Sequence, residues 1–272
     1  MKPHPQYDNL LLFDLFKKED SIVHFSTTRE GGVSQDAFSS FNMGNFSDDN
    51  PLHIRENRER LARMFYMDID RFIVPHQTHG TKVLTIDRDF LGLDNATAIE
   101  TLYGVDATIT AEKDIFLCAT TADCVPILLY DRKKRVIAAI HAGWRGTVGR
   151  IVEKTIGKMT HEFGSTPADI IAGIGPAIDM SNYEVGDEVV RQFQEEGFPI
   201  SDTTVFQREA PTFKYHIDLK EINRRELIQL GVLEHKIEKS PFCTFEREDL
   251  FFSARRQTIH SGRMLTGIMI RK

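Results

Sequence analysis

The centre of the chain carries four apolar runs in close succession, each of strand length. They cover residues 105–110, 115–121, 125–130 and 136–141. Apolar runs of about four to eight residues, bounded by turn residues, are typical of strands that are buried on both faces of a sheet. We therefore predict that the four segments form one buried β-sheet.

Two longer segments have the apolar spacing of amphipathic helices. One begins at Pro51, where Asn50 supplies a capping side chain and the proline has the fixed φ of a first helical turn. Its predicted buried stripe consists of Leu52, Leu61, Met64 and Phe65. The other follows the Gly-Trp-Arg-Gly sequence at 143–146 and is predicted to run as one helix to Gly164. Its stripe consists of Val148, Val152, Ile156, Met159 and Phe163.

Two further helices are indicated mainly by their ends. A helix near residues 187–196 should stop at Gly197, because glycine adopts the left-handed conformation that ends many helices. Another should begin at Asp218 and run to Gly231. Asp218 and Glu221 have the spacing of a capping box, in which two side chains satisfy free amides of the first turn.

Shorter β-type runs lie on either side of the centre. They cover residues 22–27, 71–75, 82–86, 169–175 and 264–270, and the last is predicted to dock the C-terminus as a strand. Residues 87–103 are predicted to form an exposed excursion. No repeat, low-complexity tract or linker rich in proline, glycine or serine interrupts the sequence, so residues 1–272 are predicted to form a single domain.

The composition excludes several classes of protein. The 272 residues are 41% hydrophobic and 27% charged, as in ordinary globular proteins. Asp and Glu number 40 against 34 Lys and Arg, and the net charge of -6 has the wrong sign for binding nucleic acid through its phosphates. No window approaches the roughly 20 apolar residues of a membrane span, and the polar start does not fit a signal peptide. With only three cysteines, we expect a cytoplasmic protein with reduced thiols.

Three residues with metal-binding side chains stand at the edges of predicted strands, near glycine or proline. They are His79, Cys124 and His141, and the steps of 45 and 17 residues between them do not fit the close pairs of a zinc finger. Two imidazoles and one thiolate do suit a tetrahedral zinc whose fourth position is free for water or substrate, as in catalytic zinc sites. From the residues alone, the alternative that they are packed or hydrogen-bonded core residues stays open.

The sequences around these three residues resemble one protein family. They are Gln77-Thr-His-Gly80, Thr121-Ala-Asp-Cys-Val-Pro126 and His141-Ala-Gly-Trp-Arg-Gly-Thr147. Further matching motifs follow the same order along nearly the whole chain, at 28–34, 40–42, 173–176, 183–185, 243–244, 252–253 with 255, and 262–263. Together they are similar to those of laccase-domain, or polyphenol oxidase-like, proteins. That family is regarded as purine nucleoside phosphorylases with adenosine deaminase activity.

The resemblance implies a fold, a metal and an activity. The fold is α+β, a single domain of packed mixed β-sheets with flanking helices. His79, Cys124 and His141 would bind zinc and form the catalytic centre, with copper, which the older family name suggests, as the less favoured metal. The implied substrates are inorganic phosphate and the nucleosides adenosine, inosine and S-methyl-5′-thioadenosine. These would be cleaved to the base and (methylthio)ribose 1-phosphate, alongside deamination of adenosine.

Six further residues are candidates for binding these substrates. They are Arg29, Ser40, Asn42, Arg145, Tyr183 and Arg255. The arginines carry planar guanidinium groups that suit the oxygens of phosphate or sugar. The serine and the asparagine would hydrogen-bond the nucleoside, and the tyrosine, like Trp144, would stack on the purine. Each also has an ordinary structural explanation, as a surface ion pair, a turn residue or a packed ring.

Three neighbouring residues are predicted to take no direct part in the chemistry. Asp123 should face away from Cys124 on an extended segment and have a structural role. His76 is predicted not to be a metal ligand, and Cys118 is predicted to be a small buried apolar residue.

Three other hypotheses use the same residues. In a metal-free hydrolase, Cys124 would be the nucleophile and His141 its base. A copper-dependent polyphenol oxidase would need more ligands than 10 His and three Cys in these positions offer. In a binding module, zinc would only brace the fold. Both a monomer and a homodimer stay open, and neither nucleic acid nor membrane is an expected partner.

Overall fold

Two six-stranded mixed β-sheets form the centre of the structure. The computed structural model describes residues 1–200, 205–208 and 214–272, with residues 205–208 as backbone only. In chain order the strands are β1 (Lys2–Pro3), β2 (Leu10–Leu12), β3 (Ile22–Thr27), β4 (Phe72–Ile73), β5 (Lys82–Thr85), β6 (Val105–Thr110), β7 (Phe116–Thr121), β8 (Val125–Asp131), β9 (Val136–Ala142), β10 (Ile170–Ile174), β11 (Glu184–Val185), β12 (Val205–Arg208), β13 (Lys214–Ile217), β14 (Ile237–Lys239) and β15 (Met264–Ile270).

Eight α-helices accompany the strands in the described ranges. They are α1 (Pro51–Met64), α2 (Arg88–Leu91), α3 (Asn95–Thr101), α4 (Trp144–Val148), α5 (Ile151–Phe163), α6 (Asp187–Glu195), α7 (Leu219–Gln229) and α8 (Ala254–Gln257). Within those ranges, none of the helices has the length and apolar character needed to cross a membrane.

The strand order explains why both main sheets are mixed. The first sheet has the order β1-β2-β3-β15-β7-β4, and only the β4–β7 pair is parallel. The second has the order β14-β10-β8-β9-β6-β5, with parallel pairs at its two edges. A small third sheet, β11-β13-β12, is antiparallel. The α+β class with packed mixed sheets and flanking helices is therefore confirmed.

Alternate residues of the central strands face two different cores. In β7, Leu117 packs between the two main sheets, whereas Phe116 and Cys118 pack in the core beneath α1. In β9, Ile137 packs between the sheets and Ile140 packs against the helical layer of α5, α6 and α7. The result is four layers, helix on sheet on sheet on helices. Because both faces of each sheet are covered, its strands are apolar throughout, and the prediction of Cys118 as a buried apolar residue is confirmed.

The sequence predicted that the four central segments form one sheet, and this prediction is wrong. Strands β6, β8 and β9 lie in the second sheet, whereas β7 pairs with β15 in the first. The chain crosses from one sheet to the other between β7 and β8, at residues 122–124. An uninterrupted apolar run marks a strand with two buried faces, but it does not specify which strand will be its neighbour.

Two predictions about helices also need correction. The segment after residue 146 is not one helix, because α4 and α5 are separated at Arg150, which has a φ of +62°. The predicted stripe of α1 is buried at Leu61, which is 1% exposed, but Leu52 is 72% exposed. Leu52 precedes Leu61 by nine residues, which at about 3.6 residues per turn places it on the opposite face of the helix. Ile54, on the same face as Leu61, is only 4% exposed. The excursion at 87–103 is mostly exposed, but it contains α2 and α3.

Most predicted helix starts and ends are confirmed, including the start of α1 at Pro51 after the capping side chain of Asn50. The helices end near Gly164, Gly197 and Gly231 as expected, and all three glycines have positive φ. At the start of α7, the Asp218 carboxylate accepts a hydrogen bond from the amide of Glu221 at 2.8 Å. The carboxylate of Glu221 bonds to basic side chains instead of reaching back, so only half of the capping box forms.

The two leucines of α1 give a direct test of the packing. We expect Leu61→Ala to lower the free energy of unfolding by about 2–5 kcal/mol, because it leaves a cavity in a closed core. Leu52→Ala, the same change on the same helix, should stay within about 0.5 kcal/mol of the parent, because the side chain is exposed. Urea unfolding followed by circular dichroism measures both values. Equal losses in the two variants would show that α1 packs through a different face.

Candidate functional site

A cavity of about 460 Å³ opens where the two main sheets meet their connecting loops. Its wall is built by the turn between β4 and β5, the crossing between β7 and β8, and the junction of β9 with α4. Helix α8 and the loop that leads into β15 complete it. Because these segments come from both sheets, the cavity exists only after the sheets have packed together.

The three predicted metal donors come together in this wall. The donor atoms of His79, Cys124 and His141 all lie within 4.8 Å of one another. The rings of the two histidines have centroids 4.9 Å apart. His141 is buried, Cys124 is half-buried and His79 is exposed to the cavity side. In the part of the chain that the structure describes, no other His, Cys, Asp or Glu side chains form such a group of three.

One of these donors and the residue before another have uncommon backbone conformations. The φ angle is +62° at His79 and +86° at Asp123, although both residues carry side chains. Such conformations cost on the order of 1–3 kcal/mol and persist only where the surrounding structure fixes them, which occurs often at functional sites. The two turns are part of what brings His79 and Cys124 within reach of His141.

The Asp106 carboxylate fixes two of the donors at once. It accepts hydrogen bonds from the backbone amides of Thr78, His79 and Gly80, at 3.3, 3.0 and 2.7 Å. It also lies 2.8 Å from Nδ1 of His141. A proton on Nδ1 leaves Nε2 of His141 as the nitrogen that is free to bind a ligand.

Asp106 is a residue of the candidate site that the sequence did not single out. A signal was present, because an aspartate inside the apolar run 105–110 has to be buried, and a buried carboxylate needs hydrogen-bond partners. Its side chain lies in β6, and the residue is 1% exposed. The identity of its partners could not be read from the sequence, because they lie on the β4–β5 turn and on β9.

The charges of the site are coupled. Burial alone would raise the pKa of the Cys124 thiol, but the nearby His141 and His79 outweigh burial and lower this pKa. Burial would likewise lower the pKa of His141, but the Cys124 thiolate and Asp106 raise it. The pKa of Asp106 is also lowered, because hydrogen bonds from His141 and the turn amides exceed the effect of burial. The cluster therefore favours a thiolate beside an ionised carboxylate.

The donor set and its surroundings fit a bound transition-metal ion. A Cβ atom placed on Gly143 would lie 3.0 Å from Cδ2 of His79 and 3.1 Å from Sγ of Cys124, so any side chain here would press on two of the donors. Two imidazoles and one thiolate form a mixed nitrogen and sulfur set, which suits zinc, and three protein ligands leave a fourth position open.

The carboxylate of Asp123 accepts three hydrogen bonds that connect the loops around the site. It accepts hydrogen bonds from the hydroxyls of Thr244 and Ser253, at 2.6 and 3.0 Å, and from the amide of Arg255 at 2.7 Å. Three donors on one carboxylate agree with the structural role predicted for it. They hold α8 and the 243–244 segment against the residue that precedes Cys124.

Three of the six predicted substrate-binding residues line the cavity. The guanidinium of Arg145 lies 4.4 Å from the ring of Trp144. That of Arg255 lies 5.3 Å from the ring of Tyr183 and donates to the carbonyl of Glu184 at 2.9 Å. Burial is the main cause that raises the pKa of Tyr183, so its hydroxyl stays protonated. The cavity is thus bordered by cations and aromatic rings.

The other three predicted substrate-binding residues, Arg29, Ser40 and Asn42, do not line this cavity. Arg29 donates to the backbone carbonyls of Ser39 and Glu248. The Ser40 hydroxyl donates to the carbonyl of Arg29, and Asn42 is fully buried with its amide bonded inside the same loop. Their polar atoms organise the loop before α1, which is the ordinary role of such residues in turns.

Two residues next to His79 position the wall of the cavity. The Gln77 amide bonds to the backbone of Thr120 in both directions, at 2.7 and 2.8 Å, and so ties the turn to β7. His76, which the sequence predicted not to be a ligand, lies outside the group of three donors. Its ring stacks on Phe46 with centroids 3.6 Å apart, at the cavity wall.

Comparisons with known proteins agree with this site and fold. The chain is 43% identical to a protein of Bacteroides thetaiotaomicron named purine nucleoside phosphorylase, over 97% of each chain. It is 40% identical to adenosine deaminase RL5 from an unknown prokaryotic organism, over 94% of this chain and 96% of the relative. It is 35% identical to purine nucleoside phosphorylase YlmD of Bacillus subtilis, over 91% and 88% of the two chains.

Solved structures show the same architecture over nearly the whole chain. The crystal structure of the Bacillus licheniformis hypothetical protein YfiH superimposes with a TM-score of 0.89 at 30% identity, and covers 98% of both chains. That of YlmD from Geobacillus stearothermophilus gives 0.85 at 33% identity, over 96% of this chain and 94% of that one. The family model described as multi-copper polyphenol oxidoreductase laccase matches residues 23–271. The chain therefore belongs to the multi-copper polyphenol oxidoreductase laccase family.

Proposed function

We propose that the protein is a zinc-dependent purine nucleoside phosphorylase that also deaminates adenosine, and that residues 1–272 act as one domain. The observation that carries this proposal is the convergence of His79, Cys124 and His141 on one cavity wall, with donor atoms within 4.8 Å. These three residues would hold the metal. Zinc is the ion that we favour, and copper is the alternative, because both accept imidazole and thiolate ligands.

A zinc ion held in this group would supply Lewis acidity to an oxygen of the substrate or of water. Residues of the chain hold the donor atoms in the orientation and the protonation state that metal binding requires. Asp106 holds Nδ1 of His141 and so presents Nε2. The lowered pKa of Cys124 keeps it in the thiolate form that metal ions bind. Most of the site is ordered before any substrate arrives, which is what preorganised catalysis requires.

The proposed nucleosides are adenosine, inosine and S-methyl-5′-thioadenosine. A volume of about 460 Å³ falls within the roughly 300–1,000 Å³ of small-molecule sites. The rings of Trp144 and Tyr183 line the cavity and offer faces on which a purine can stack. The names of the relatives in Bacteroides, in Bacillus and of RL5 support the same two activities.

In phosphorolysis, a phosphate oxygen forms a bond to C1′ as the bond from C1′ to the purine nitrogen breaks. The electron pair of that bond leaves with the purine, which takes up a proton, and the products are the free base and ribose 1-phosphate. Arg145 and Arg255 place positive charge on the cavity wall, where it attracts the phosphate anion and holds it close.

A metal-free reaction is the second candidate, and one observation favours it. Cys124, His141 and Asp106 form a chain of a lowered-pKa thiol, an imidazole and a carboxylate, which is also the arrangement of a cysteine nucleophile with its base. Chelation separates the two candidates, because it abolishes a zinc-dependent activity and leaves a thiolate nucleophile intact. Copper-dependent phenol oxidation is less supported, since the described residues supply a single group of three donors.

Product analysis tests the proposed activity. We expect the metal-loaded protein to convert adenosine to adenine and ribose 1-phosphate only when phosphate is present, and to form inosine without phosphate. Inosine and S-methyl-5′-thioadenosine should be cleaved only with phosphate. Liquid chromatography with mass spectrometry identifies the products, and His79→Ala, checked for folding by circular dichroism, serves as the inactive control. Absence of turnover with all three nucleosides, at one metal ion per chain, would refute the proposal.

The role of Asp106 can be tested through metal affinity. We expect Asp106→Asn to weaken zinc binding by roughly 10–100-fold, because the side chain that orients His141 loses its charge. Asp131→Asn is the matched control, since Asp131 is equally buried but lies at the far end of β8. Competition with a colorimetric chelator measures both affinities. Unchanged affinity in Asp106→Asn, or an equal loss in the control, would contradict the assignment.

A further inference from the structure

Arg263 is a cationic residue of the cavity wall that the sequence analysis noted only as part of a motif. It precedes β15 and lines the same cavity as the three metal donors. Its Nη1 donates to the carbonyl and the hydroxyl of Ser261, at 2.6 and 3.0 Å, and to the carbonyl of Gly262 at 3.0 Å. Nη2 donates to the carbonyl of Ile259 at 3.2 Å. The guanidinium is therefore fixed by neutral oxygens.

No carboxylate neutralises this guanidinium. Among the described residues, none lies within 4.0 Å of it, and its Nε has no acceptor. The nearby Asp123 carboxylate already accepts hydrogen bonds from three other donors. Burial is the main cause that lowers the pKa of Arg263, although an arginine keeps its proton at any physiological pH. Cys124 and Asp123 offset only part of the effect of burial. A half-buried cation without a direct ion pair is costly, and an anionic ligand would reduce that cost.

The side chain is also held more firmly than those of the other two cavity arginines. The Arg263 amide donates to Oδ1 of the buried Asn42 at 2.9 Å. A Cβ atom on Gly44 would lie 2.8 Å from Cγ of Arg263, so the stem packs directly on that backbone. Arg145 and Arg255 are exposed by comparison. Asn42, predicted from sequence as a nucleoside ligand, thus anchors the residue that faces the cavity.

We propose that Arg263 binds the inorganic phosphate of the reaction and is the main determinant of phosphate affinity, an inference that rests on the proposed function. Phosphate carries the charge that the guanidinium lacks, and the free Nε with the remaining Nη2 hydrogen forms an edge that suits two oxygens. Arg263 neither gives nor takes a proton. It holds phosphate while the oxygen that attacks C1′ replaces the purine, and Arg145 and Arg255 add positive charge from the exposed side.

Two variants of Arg263 test this role in the full-length, metal-loaded protein. We expect Arg263→Gln to raise the KM for phosphate in inosine cleavage by about 10–100-fold, since charged hydrogen bonds are lost. Arg263→Lys should fall between the parent and Arg263→Gln, because it keeps the charge but loses the planar fork. Deamination of adenosine without phosphate should lose much less activity than phosphorolysis in both variants, because deamination uses no phosphate. Arg271→Gln, which changes an exposed arginine before the C-terminus, is the control and should leave phosphate KM unchanged.

Calorimetric titration with inorganic phosphate separates failure of this inference from failure of the proposed function. Phosphate binding by the parent and its loss in Arg263→Gln would support the inference even if no nucleoside were cleaved. An unchanged phosphate affinity in both variants would overturn it, as would a parent protein that does not bind phosphate. Loss of deamination together with phosphorolysis, or unfolding of both variants, would instead assign Arg263 a purely structural role and also overturn it.

Discussion

The buried carboxylate of Asp106 joins two parts of the chain that the site cannot do without. It accepts three backbone amides of the 78–80 turn and holds Nδ1 of His141. A buried negative charge is costly unless it is fully bonded, and here its bonds hold the left-handed turn at His79 and fix the orientation of an imidazole. Among the described residues, no other side chain hydrogen-bonds both to the backbone of the 78–80 turn and to the imidazole of His141. The donor group therefore depends on a residue that is not itself a donor.

The crossing between the two sheets gives the site its third donor. Cys124 follows directly on residues 122–123, where the chain leaves the first sheet and enters the second. The side chain of Cys124 packs in neither of the cores that flank the sheets, so its thiol can face the cavity. By contrast, Cys118 lies within β7, where burial raises its thiol pKa and keeps it inert. The pKa values of two thiols six positions apart are thus shifted in opposite directions, because Cys118 lies within a strand and Cys124 lies where the chain crosses between the sheets.

The cavity combines a negative centre with a positive border. The cluster of Cys124 and Asp106 carries the anionic groups that favour a metal cation, while arginines stand on the wall around it. A site with this distribution can accept a cation at its base and an anion beside it, which a single uniform charge could not do. Aromatic rings between the arginines provide the apolar faces that a purine needs. The charge of the whole chain, which is -6, indicates nothing of this local pattern.

The sequence by itself determined the central strands, most helix ends and the three candidate donor residues, because these follow from local patterns and from motifs that resemble a family. It did not determine that β7 would pair in a different sheet from β6, β8 and β9, or that α4 and α5 would be separate helices. Nor did it show that the buried Asp106 supports two of the donors, or that Arg263 lines the cavity whereas Arg29, Ser40 and Asn42 do not. Those outcomes depend on which distant segments pack together. Hydrophobic periodicity specifies whether a side chain is buried, and only the tertiary structure specifies what it is buried against.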